Sequence, residues 1–285
     1  MKKNHHKLAF SLIELSIVIL IIGILVAGVT QSSRLVRQMR LSTARSITAS
    51  SPVNSIKDLV AWYESTSEKS FLEGEADNQA LLRNWFDLNI QSSVKDDAYQ
   101  TVDANKPQYG FDEQTGLPVV KFINQDFFNM PDGTIPFNNS PYTIFFVART
   151  EAFCQCGVMG SGTYGGNNQT NSFRYDPTGG VFNNYWWFVD LVINGATVVK
   201  KMQIFSFTYN LSTREGFVDG VSKGSVASSN RASTAINNTI GTSNSNTEYM
   251  NGQIGEIIIF DRALKTEERK SIEQYLGKKW SIKVS

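Results

Sequence analysis

Apolar residues are concentrated in one uninterrupted run near the start of the chain. The run, AFSLIELSIVILIIGILVAG, covers residues 9–28 and contains a single charged side chain, Glu14. Its length matches the ~20 apolar residues needed to cross the hydrocarbon core of a bilayer. From Gln31 to Ala49 apolar side chains recur at helical spacing, and neither Pro nor Gly interrupts them. The pattern predicts a helix of roughly 40 residues, apolar in its first half, amphipathic in its second, and ending before Pro52.

Beyond Ile56 the pattern changes to short runs of aromatic and β-branched residues separated by Asn, Asp, Gly and Ser. Many short strands without intervening helices predict an antiparallel sandwich or jelly roll. Asp219-Gly220 is a strong hairpin turn signal, and Thr266 is the expected N-cap of one closing helix. The predicted strands cover residues 59–63, 119–123, 142–148, 186–193, 202–209, 215–218 and 255–260.

The composition excludes several classes of function. Histidine occurs only at His5 and His6, which removes Ser-His-Asp and Cys-His catalysis and histidine-bound zinc from the rest of the chain. A glucanase site needs paired acids flanking the glycosidic bond, but Glu256 shares its strand face with Ile258 and Phe260. We therefore predict that the chain is not an enzyme. The net charge of +1 argues against nucleic acid as a partner.

Two general interpretations of the apolar run are incomplete. The run exceeds the 7–15 apolar residues of a cleaved signal peptide, and Val26-Ala27-Gly28 is a poor cleavage site. An ordinary membrane anchor leaves Glu14 unexplained, because an acid at membrane depth costs roughly 2.5–3.5 kcal/mol on insertion scales. Three lysines precede the run, and four arginines at positions 34, 37, 40 and 45 follow it. The excess of positive charge after the run is contrary to a simple positive-inside pattern for a chain whose C-terminal part lies outside the cytoplasm.

The residues FSLIELSIVILIIGIL resemble the N-terminal cleavage and methylation motif of type IV prepilins and type II secretion pseudopilins. In that family a peptidase cuts before a Phe and methylates the new amine, and the fifth residue of the mature chain is Glu. The resemblance implies cleavage between Ala9 and Phe10, methylation of Phe10, and an assembly contact between Glu14 and the Phe10 amine of a neighbouring subunit. The chain departs from the family pattern at Ala9, where Gly is preferred.

The remainder of the chain resembles bacterial laminin-G-like, concanavalin-like jelly rolls. The resemblance rests on DLVAWYE, YTIFFVART, GFVDGVSKG and the closing GQIGEIIIFDRALKTEERKSIEQYLGKKWSI. Together the two resemblances imply a leader peptide over 1–9, a pilin-like transmembrane and amphipathic helix over 10–50, and a β-sandwich head over 51–285. Laminin-G-like domains often bind calcium at a loop rim, but no residue set here can be assigned to such a site. We predict no other cofactor and no metal ligands.

Three features of the head are candidate sites. Cys154 and Cys156 form C-x-C. Outside the cytoplasm they can oxidise, and we favour a local disulfide over two free thiols. Residues 160–165 fit G-x-G-x-x-G, but no helix-forming sequence follows, so we predict a loop rather than a phosphate site.

That polar loop is either inert or lines a glycan or partner site. The residues that would line such a site are Tyr164, Asn167 and Asn168. Trp186 and Trp187 invite a carbohydrate-stacking interpretation. Adjacent strand residues point to opposite faces, so at most one of them is exposed if the other is in the core.

The sequence thus predicts a long N-terminal helix followed by an all-β antiparallel sandwich with a C-terminal helix. The predicted function is a type IV pilin-like subunit, a minor pilin or pseudopilin, that displays a ligand-binding or adhesive head. Its expected partners are other pilin subunits, the prepilin peptidase, the inner membrane, and a glycan or surface ligand. The head would be periplasmic before assembly and then lie on a filament. The alternatives are a structural filament subunit without a ligand and a glycan-active enzyme.

Overall fold

The computed structural model describes residues 12–228, 230–243 and 247–285. A long helix, α1 (Leu12–Ala49), leads into an antiparallel β-sandwich, and a second helix, α2 (Thr266–Trp280), closes the chain. Two short 3-10 helices cover Val53–Ser55 and Asp103–Asn105. The predicted fold class is therefore confirmed. Ala9 and Phe10 lie outside the described residues, and the domain boundaries stay predictions.

Strands account for most of the regular structure after α1. In chain order they are β1 (Leu59–Glu64), β2 (Asn84–Trp85), β3 (Ala98–Tyr99), β4 (Gln108–Phe111), β5 (Pro118–Phe122), β6 (Phe128–Asn129), β7 (Tyr142–Thr150), β8 (Cys156–Gly162), β9 (Thr170–Tyr175), β10 (Phe182–Tyr185), β11 (Leu191–Ile193), β12 (Gln203–Tyr209), β13 (Thr213–Val218), β14 (Val221–Ala227), β15 (Thr239–Ile240) and β16 (Gly252–Phe260).

The strands form two sheets. The first sheet has the order β14-β13-β12-β7-β16-β5-β4, and β1 also pairs with β16. The second sheet has the order β11-β10-β9-β8-β15-β6-β3-β2. Aromatic rings fill the space between them, with the ring centres of Phe146, Phe182 and Phe205 only 4.6–5.5 Å apart. This shared apolar layer is the main core of the head.

A second apolar layer covers the outer face of the first sheet. It joins Val147 of β7 and Ile258 of β16 to Ile272 and Leu276 of α2, and Ala44 of α1 is buried in the same layer. The strands β7 and β16 are buried on both faces for this reason, since every residue of each is buried. The last turns of α1 are thus part of the head.

The arginines that follow the apolar run also attach α1 to the head. The Arg37 guanidinium carbon lies 4.7 Å from the centre of the Phe111 ring. Arg40 Nη1 donates to the carbonyl of Thr115 at 3.0 Å. Arg45 Nε donates to the carbonyl of Thr66 at 2.8 Å. These contacts give three of the four arginines a structural role that is independent of membrane topology.

The first half of α1 makes a clear contrast with its last turns. From Leu12 to Val26 every large apolar side chain is exposed, with 47% to 86% of its surface accessible. Among the residues that the structure describes, no helix is both long enough and apolar enough to cross a membrane.

Two local predictions were wrong. Residues 186–193 were predicted as one strand, but only Leu191–Ile193 is extended. Trp187 and Phe188 instead have φ values of 64° and 62° in a loop. Gly160–Gly162 belongs to the end of β8 rather than to a loop. Local composition misled in both cases, because aromatic residues line a loop and glycines occupy a buried strand.

The predicted hairpin turn is confirmed, whereas the predicted helix cap was wrong by one residue. The Asp219-Gly220 turn is confirmed, since both residues have positive φ, 51° and 82°, as a type I′ hairpin turn requires. Thr266 is the first helical residue of α2 rather than its cap. The cap is Lys265, whose backbone N–H donates to Glu268 Oε2 at 2.9 Å.

Candidate functional site

The outer face of the second sheet is lined by polar side chains at its centre. Gly157, Arg174, Asn183 and Val192 lie side by side on β8, β9, β10 and β11. Alternate strand residues point to the same face, and the 49% exposure of Val192 identifies this face as the outer one. The row above it includes Tyr185 of β10. We call this surface the polar face.

An ion pair lies at the centre of the polar face. Arg174 Nη1 contacts Glu248 Oε1, and Gln155 Nε2 donates to the same carboxylate oxygen. The guanidinium carbon of Arg174 lies 4.0 Å from the centre of the Tyr185 ring, a distance typical of a cation–π contact. Burial raises the pKa of the Tyr185 hydroxyl. The ring therefore stays neutral and packs against the Arg174 guanidinium.

Glycine at position 157 allows this arrangement. A Cβ there would lie 1.8 Å from the backbone nitrogen of Ser243, so the chain around Ser243 rests directly on β8. The Gly157 N–H donates to the Glu248 carbonyl at 2.7 Å. The close approach of these backbones carries Glu248 across the sheet to Arg174.

Several polar atoms on this face have no hydrogen-bond partner among the described residues. They are Arg174 Nε, Glu248 Oε2 and Asn183 Oδ1. Glu248 and Asn183 are only 4% and 5% exposed, and buried polar groups in native proteins are nearly always paired. These three atoms, one donor and two acceptors, are themselves buried, so the hydrogen bonding just beneath the face is incomplete.

Aromatic side chains form one rim of the polar face. The Tyr164 and Trp187 ring centres are 4.5 Å apart and nearly perpendicular, and Trp187 also contacts Tyr185 and Phe188. Phe188 is 78% exposed and Tyr164 is 43% exposed. Trp186 is buried in the core. The rim thus presents apolar ring surface next to the hydrogen-bonding groups.

The loop residues predicted from sequence meet this rim. Tyr164 is part of it, and the Asn168 N–H donates to the Trp187 carbonyl at 3.4 Å. Asn168 thereby ties its own loop to the loop that carries Trp187, and Asn167 is exposed. Their role in ligand binding stays a prediction.

A buried arginine holds the loop that carries Trp187. The Arg214 guanidinium carbon lies 3.6 Å from the centre of the Trp186 ring. Arg214 Nη1 donates to the Asn184 carbonyl at 2.9 Å, and Nη2 donates to the Val189 carbonyl. Burial lowers the pKa of Arg214 to about 10, so it stays protonated at neutral pH. Both ends of the loop are fixed by one cation.

The sequence did not identify Arg174, Glu248 or Arg214 as site residues. Arg174 and Glu248 are 74 positions apart, and no local motif connects them. The only signal was the alternation of polar and aromatic residues in TNSFRY, residues 170–175, which is typical of a strand with one buried face. That signal identifies β9 but says nothing of what lies across from it.

A carboxylate pair exists elsewhere in the head, because a second acid reaches Glu256 from the neighbouring strand and not from the strand face that it shares with Ile258 and Phe260. Glu64 of β1 lies directly opposite Glu256 of β16. Both are fully buried and share Lys279, whose Nζ lies 2.8 Å from Glu256 Oε2 and also contacts Glu64. Burial opposes ionisation of Glu64, but Lys279 and the donors of Thr66 outweigh it and lower the pKa of Glu64.

Glu256 is satisfied by further donors around it. Trp62 Nε1 donates at 2.8 Å, the Tyr275 hydroxyl at 2.7 Å and Trp280 Nε1 at 3.1 Å. Together with Lys279, these donors give both carboxylate oxygens of Glu256 hydrogen-bond partners. The pair therefore fastens α2 to the first sheet and lies away from the polar face.

The two cysteines and Asp126 have structural roles. Cys154 and Cys156 are joined by a disulfide, and Cys156 is buried in the core. The described residues contain no group of three or more His, Cys, Asp or Glu side chains suited to a metal ion. Asp126 Oδ2 accepts the Ile123 N–H at 2.8 Å, and burial raises the pKa of Asp126 to about 6.

Comparison with solved structures finds partial similarity to several carbohydrate-active proteins. Domain 4 of a GH43 extracellular arabinanase from Geobacillus stearothermophilus is 16% identical, with a TM-score of 0.47 over 76% of this chain and 98% of that domain. A GH54 α-L-arabinofuranosidase is 11% identical, with a TM-score of 0.53 over 70% of this chain and 51% of that protein. A Trypanosoma rangeli sialidase is 12% identical, with a TM-score of 0.48 over 88% of this chain and 39% of the sialidase.

The chain therefore spans about half of the arabinofuranosidase and less of the sialidase, and the likeness concerns the fold alone. A comparison with curated protein sequences gives no match.

Family models identify both parts of the chain. The prokaryotic N-terminal methylation motif matches residues 4–30, as the resemblance to type IV prepilins implied. The model of the concanavalin A-like lectin/glucanases superfamily matches residues 124–268, which include β7 to β16 and therefore the polar face. The chain belongs to the concanavalin A-like lectin/glucanases superfamily.

Proposed function

We propose that the chain is a type IV pilin-like subunit that assembles through α1 and binds a glycan on the polar face of its head, without catalysis. The observation that carries the assembly part is the division of α1 into two halves. Its last turns are packed into the head, whereas Leu12 to Val26 expose a continuous apolar surface. A continuous apolar surface of this kind marks an interaction site. Its natural surroundings are the membrane before assembly and parallel helices afterwards.

Glu14 gives this surface a specific contact. It lies in the first turn of α1, in the position that pilin-like chains use for assembly. After cleavage before Phe10, a neighbouring subunit would offer its terminal amine to Glu14. Pairing with a cation offsets the cost of placing a carboxylate among apolar side chains.

Substitution of Glu14 tests the assembly role. We expect Glu14→Gln to enter the membrane normally but to be absent from sheared filaments, because the amide cannot pair with an ammonium group as a charge. The measurement is immunoblotting of membrane and filament fractions. Glu73→Gln, an exposed acid of the head, is the matched control. Normal incorporation of Glu14→Gln would contradict the proposal.

The glycan-binding part rests on the chemistry of the polar face. Sugar hydroxyls donate and accept hydrogen bonds, which suits the Arg174–Glu248 ion pair at the centre of the face, where Arg174 Nε, Glu248 Oε2 and Asn183 Oδ1 are buried without a partner among the described residues. Sugar rings also present apolar C–H faces, which suit the exposed rings of Tyr164 and Phe188. The superfamily includes lectins by its description, in keeping with this assignment.

We propose binding without hydrolysis. The Glu64–Glu256 pair is fully buried and is neutralised in part by Lys279, so it has no access to a glycosidic bond. Glycosidase activity of the purified chain on a panel of polysaccharides would contradict this part of the proposal.

Binding of the full chain to a glycan array tests the polar face. We expect Arg174→Ala and Glu248→Gln each to lower affinity about tenfold or more, because hydrogen bonds to charged groups contribute about 1.5–3 kcal/mol. Arg83→Ala, an exposed arginine beside β2 of the same sheet, should leave affinity unchanged. A normally assembling chain that binds no glycan would favour a purely structural subunit.

A further inference from the structure

The end of the head nearest the apolar half of α1 carries many exposed cations. We call this region the basic edge and define it by the exposed side chains Arg34, Arg37, Arg40, Lys201, Lys278 and Lys283. The acidic groups at the same end are Glu113, Glu151 and the buried Asp112, which all contact the buried Arg149. The half-buried Asp219 and the carboxyl end of Ser285 beside it are further acids there. The chain as a whole has a net charge of only +1, so positive charge is concentrated here.

Contacts between distant segments bring these cations together. Arg40 donates to the Thr115 carbonyl at 3.0 Å, and Gln114 Nε2 donates to the Lys200 carbonyl at 3.3 Å. A cleft of about 570 Å³ is lined in part by Arg40 and Lys278. A second cleft of about 430 Å³ is lined in part by Lys201 and Lys283.

The two clefts are adjacent. Both include Gln114, Thr115 and Ser281 in their walls. The basic edge is therefore one continuous surface with two recesses that can admit anionic groups.

The height of the basic edge along α1 decides what it can reach. A helix rises about 1.5 Å per residue, so Arg34 lies roughly 9 Å beyond Gly28, the end of the apolar run, and Arg40 roughly 18 Å beyond it. The polar layer of one leaflet is about 5–7 Å thick, and charge attraction extends about 8 Å further at physiological salt. With the apolar run in the hydrocarbon, Arg34 and Arg37 lie within this reach of about 15 Å. The Cα of Arg40 lies about 3 Å above it, and only its side chain, which a helix directs toward its N-terminus and hence toward the bilayer, comes into range.

From these observations we infer that the basic edge binds the phosphate groups of anionic phospholipids while α1 is held in the membrane. This inference rests on the proposed membrane-anchored, pilin-like function. Lysines suit this task as point charges that can each approach a phosphate, and basic residues next to a membrane segment are attracted to anionic leaflets. Arg37 and Arg40 also contact the head itself, so the edge keeps a fixed orientation to α1. The head rests on the bilayer until the subunit leaves it.

Hydrogen exchange of the full chain in nanodiscs tests the inference. One set of discs contains phosphatidylcholine alone, and the other contains equal parts of phosphatidylcholine and phosphatidylglycerol. We expect amides of residues 112–117 and 198–202 to exchange roughly fivefold more slowly or better in the anionic discs. High salt should abolish the difference.

Two charge-matched triple variants complete the experiment. The Lys201→Glu/Lys278→Glu/Lys283→Glu chain should lose the protection. The Lys57→Glu/Lys69→Glu/Lys270→Glu chain changes the net charge equally at exposed positions outside the basic edge and should keep it.

Several results would overturn the inference. Equal exchange in the two kinds of disc would do so, as would full protection in the basic-edge variant. A basic-edge variant that keeps its lipid protection but fails to enter filaments would make the edge a contact between subunits instead. Failure of the chain to enter either kind of disc would instead contradict the proposed membrane anchoring.

Discussion

The outer faces of the two sheets differ in their side chains and in what covers them. On the first sheet, α2 and the last turns of α1 cover an apolar surface that includes Val147 and Ile258. On the second sheet, the polar face carries Arg174, Asn183 and an exposed Val192. The first face attaches the head to its helix, and the second is the face on which we propose glycan binding.

The ion pairs on these faces differ in the same way. The carboxylates of Glu64 and Glu256 are surrounded by donors and by Lys279. Arg174 and Glu248 pair with each other but keep an unpartnered nitrogen and oxygen among the described residues. A complete network of buried polar groups stabilises a fold, whereas a buried polar atom without a partner costs free energy until it finds one.

The largest expected effect is on the covered face. Lys279→Met should lower the free energy of unfolding by about 3–5 kcal/mol, because it leaves two buried carboxylates without their shared cation. Urea unfolding of the full chain in detergent measures it. Lys278→Met, the exposed neighbour, should change stability by less than about 0.5 kcal/mol. Equal effects of the two substitutions would show that the buried network contributes little.

A smaller effect should follow from crowding the polar face. Gly157→Val places a side chain against the backbone of Ser243, and overpacking of this kind costs about 1–3 kcal/mol. Because the Gly157 N–H also holds the Glu248 carbonyl, glycan affinity should fall as well. Val192→Ala, in the same row of the sheet, is the control for both measurements. Unchanged stability would mean that the chain around Ser243 moves freely.

The connection between the sheets should give a pH-dependent effect. Asp126 lies between β5 of the first sheet and β6 of the second, and burial raises its pKa to about 6. Stability from its protonated form is fully present below about pH 4 and is lost as the pH rises through about 6. Asp126→Asn should remove a pH dependence of up to about 3 kcal/mol, since the pKa rises from 3.8 to about 6 and each pKa unit corresponds to about 1.4 kcal/mol.

The measurement is the melting temperature of both chains between pH 4 and 8. The exposed Asp132 supplies the matched control, Asp132→Asn. A wild-type chain that gains stability as the pH rises through 6, relative to Asp126→Asn, would reverse the sign and refute the assignment.

The smallest effect on stability is expected at the aromatic rim. Phe188 is 78% exposed, so Phe188→Ser should change the free energy of unfolding by no more than about 0.5 kcal/mol. Glycan affinity should nevertheless fall, since a stacking surface is lost. Val198→Ser, another half-exposed apolar residue, should leave affinity unchanged. A loss of stability without a loss of affinity would assign Phe188 to the fold instead.

Much of the architecture was predictable because its signals are local. The apolar run, the helical spacing up to Ala49 and the Asp219-Gly220 turn depend on residues close together in the chain. Local signals failed where a loop has the aromatic composition of a strand. The aromatic residues at Trp187 and Phe188 look like a strand but line a loop that Arg214 holds from beneath.

The sequence by itself determined that this chain carries a pilin-like N-terminal segment, an all-β head and a closing helix, and that histidine chemistry is absent from the head. The tertiary structure alone decided which side chains meet. Strand register placed Glu64 opposite Glu256 and brought Arg174 beside Asn183. A close backbone approach at Gly157 brought Glu248 to Arg174. Periodicity reports the direction of a side chain relative to its own strand, whereas pairing between strands is set by the packing of the whole sandwich.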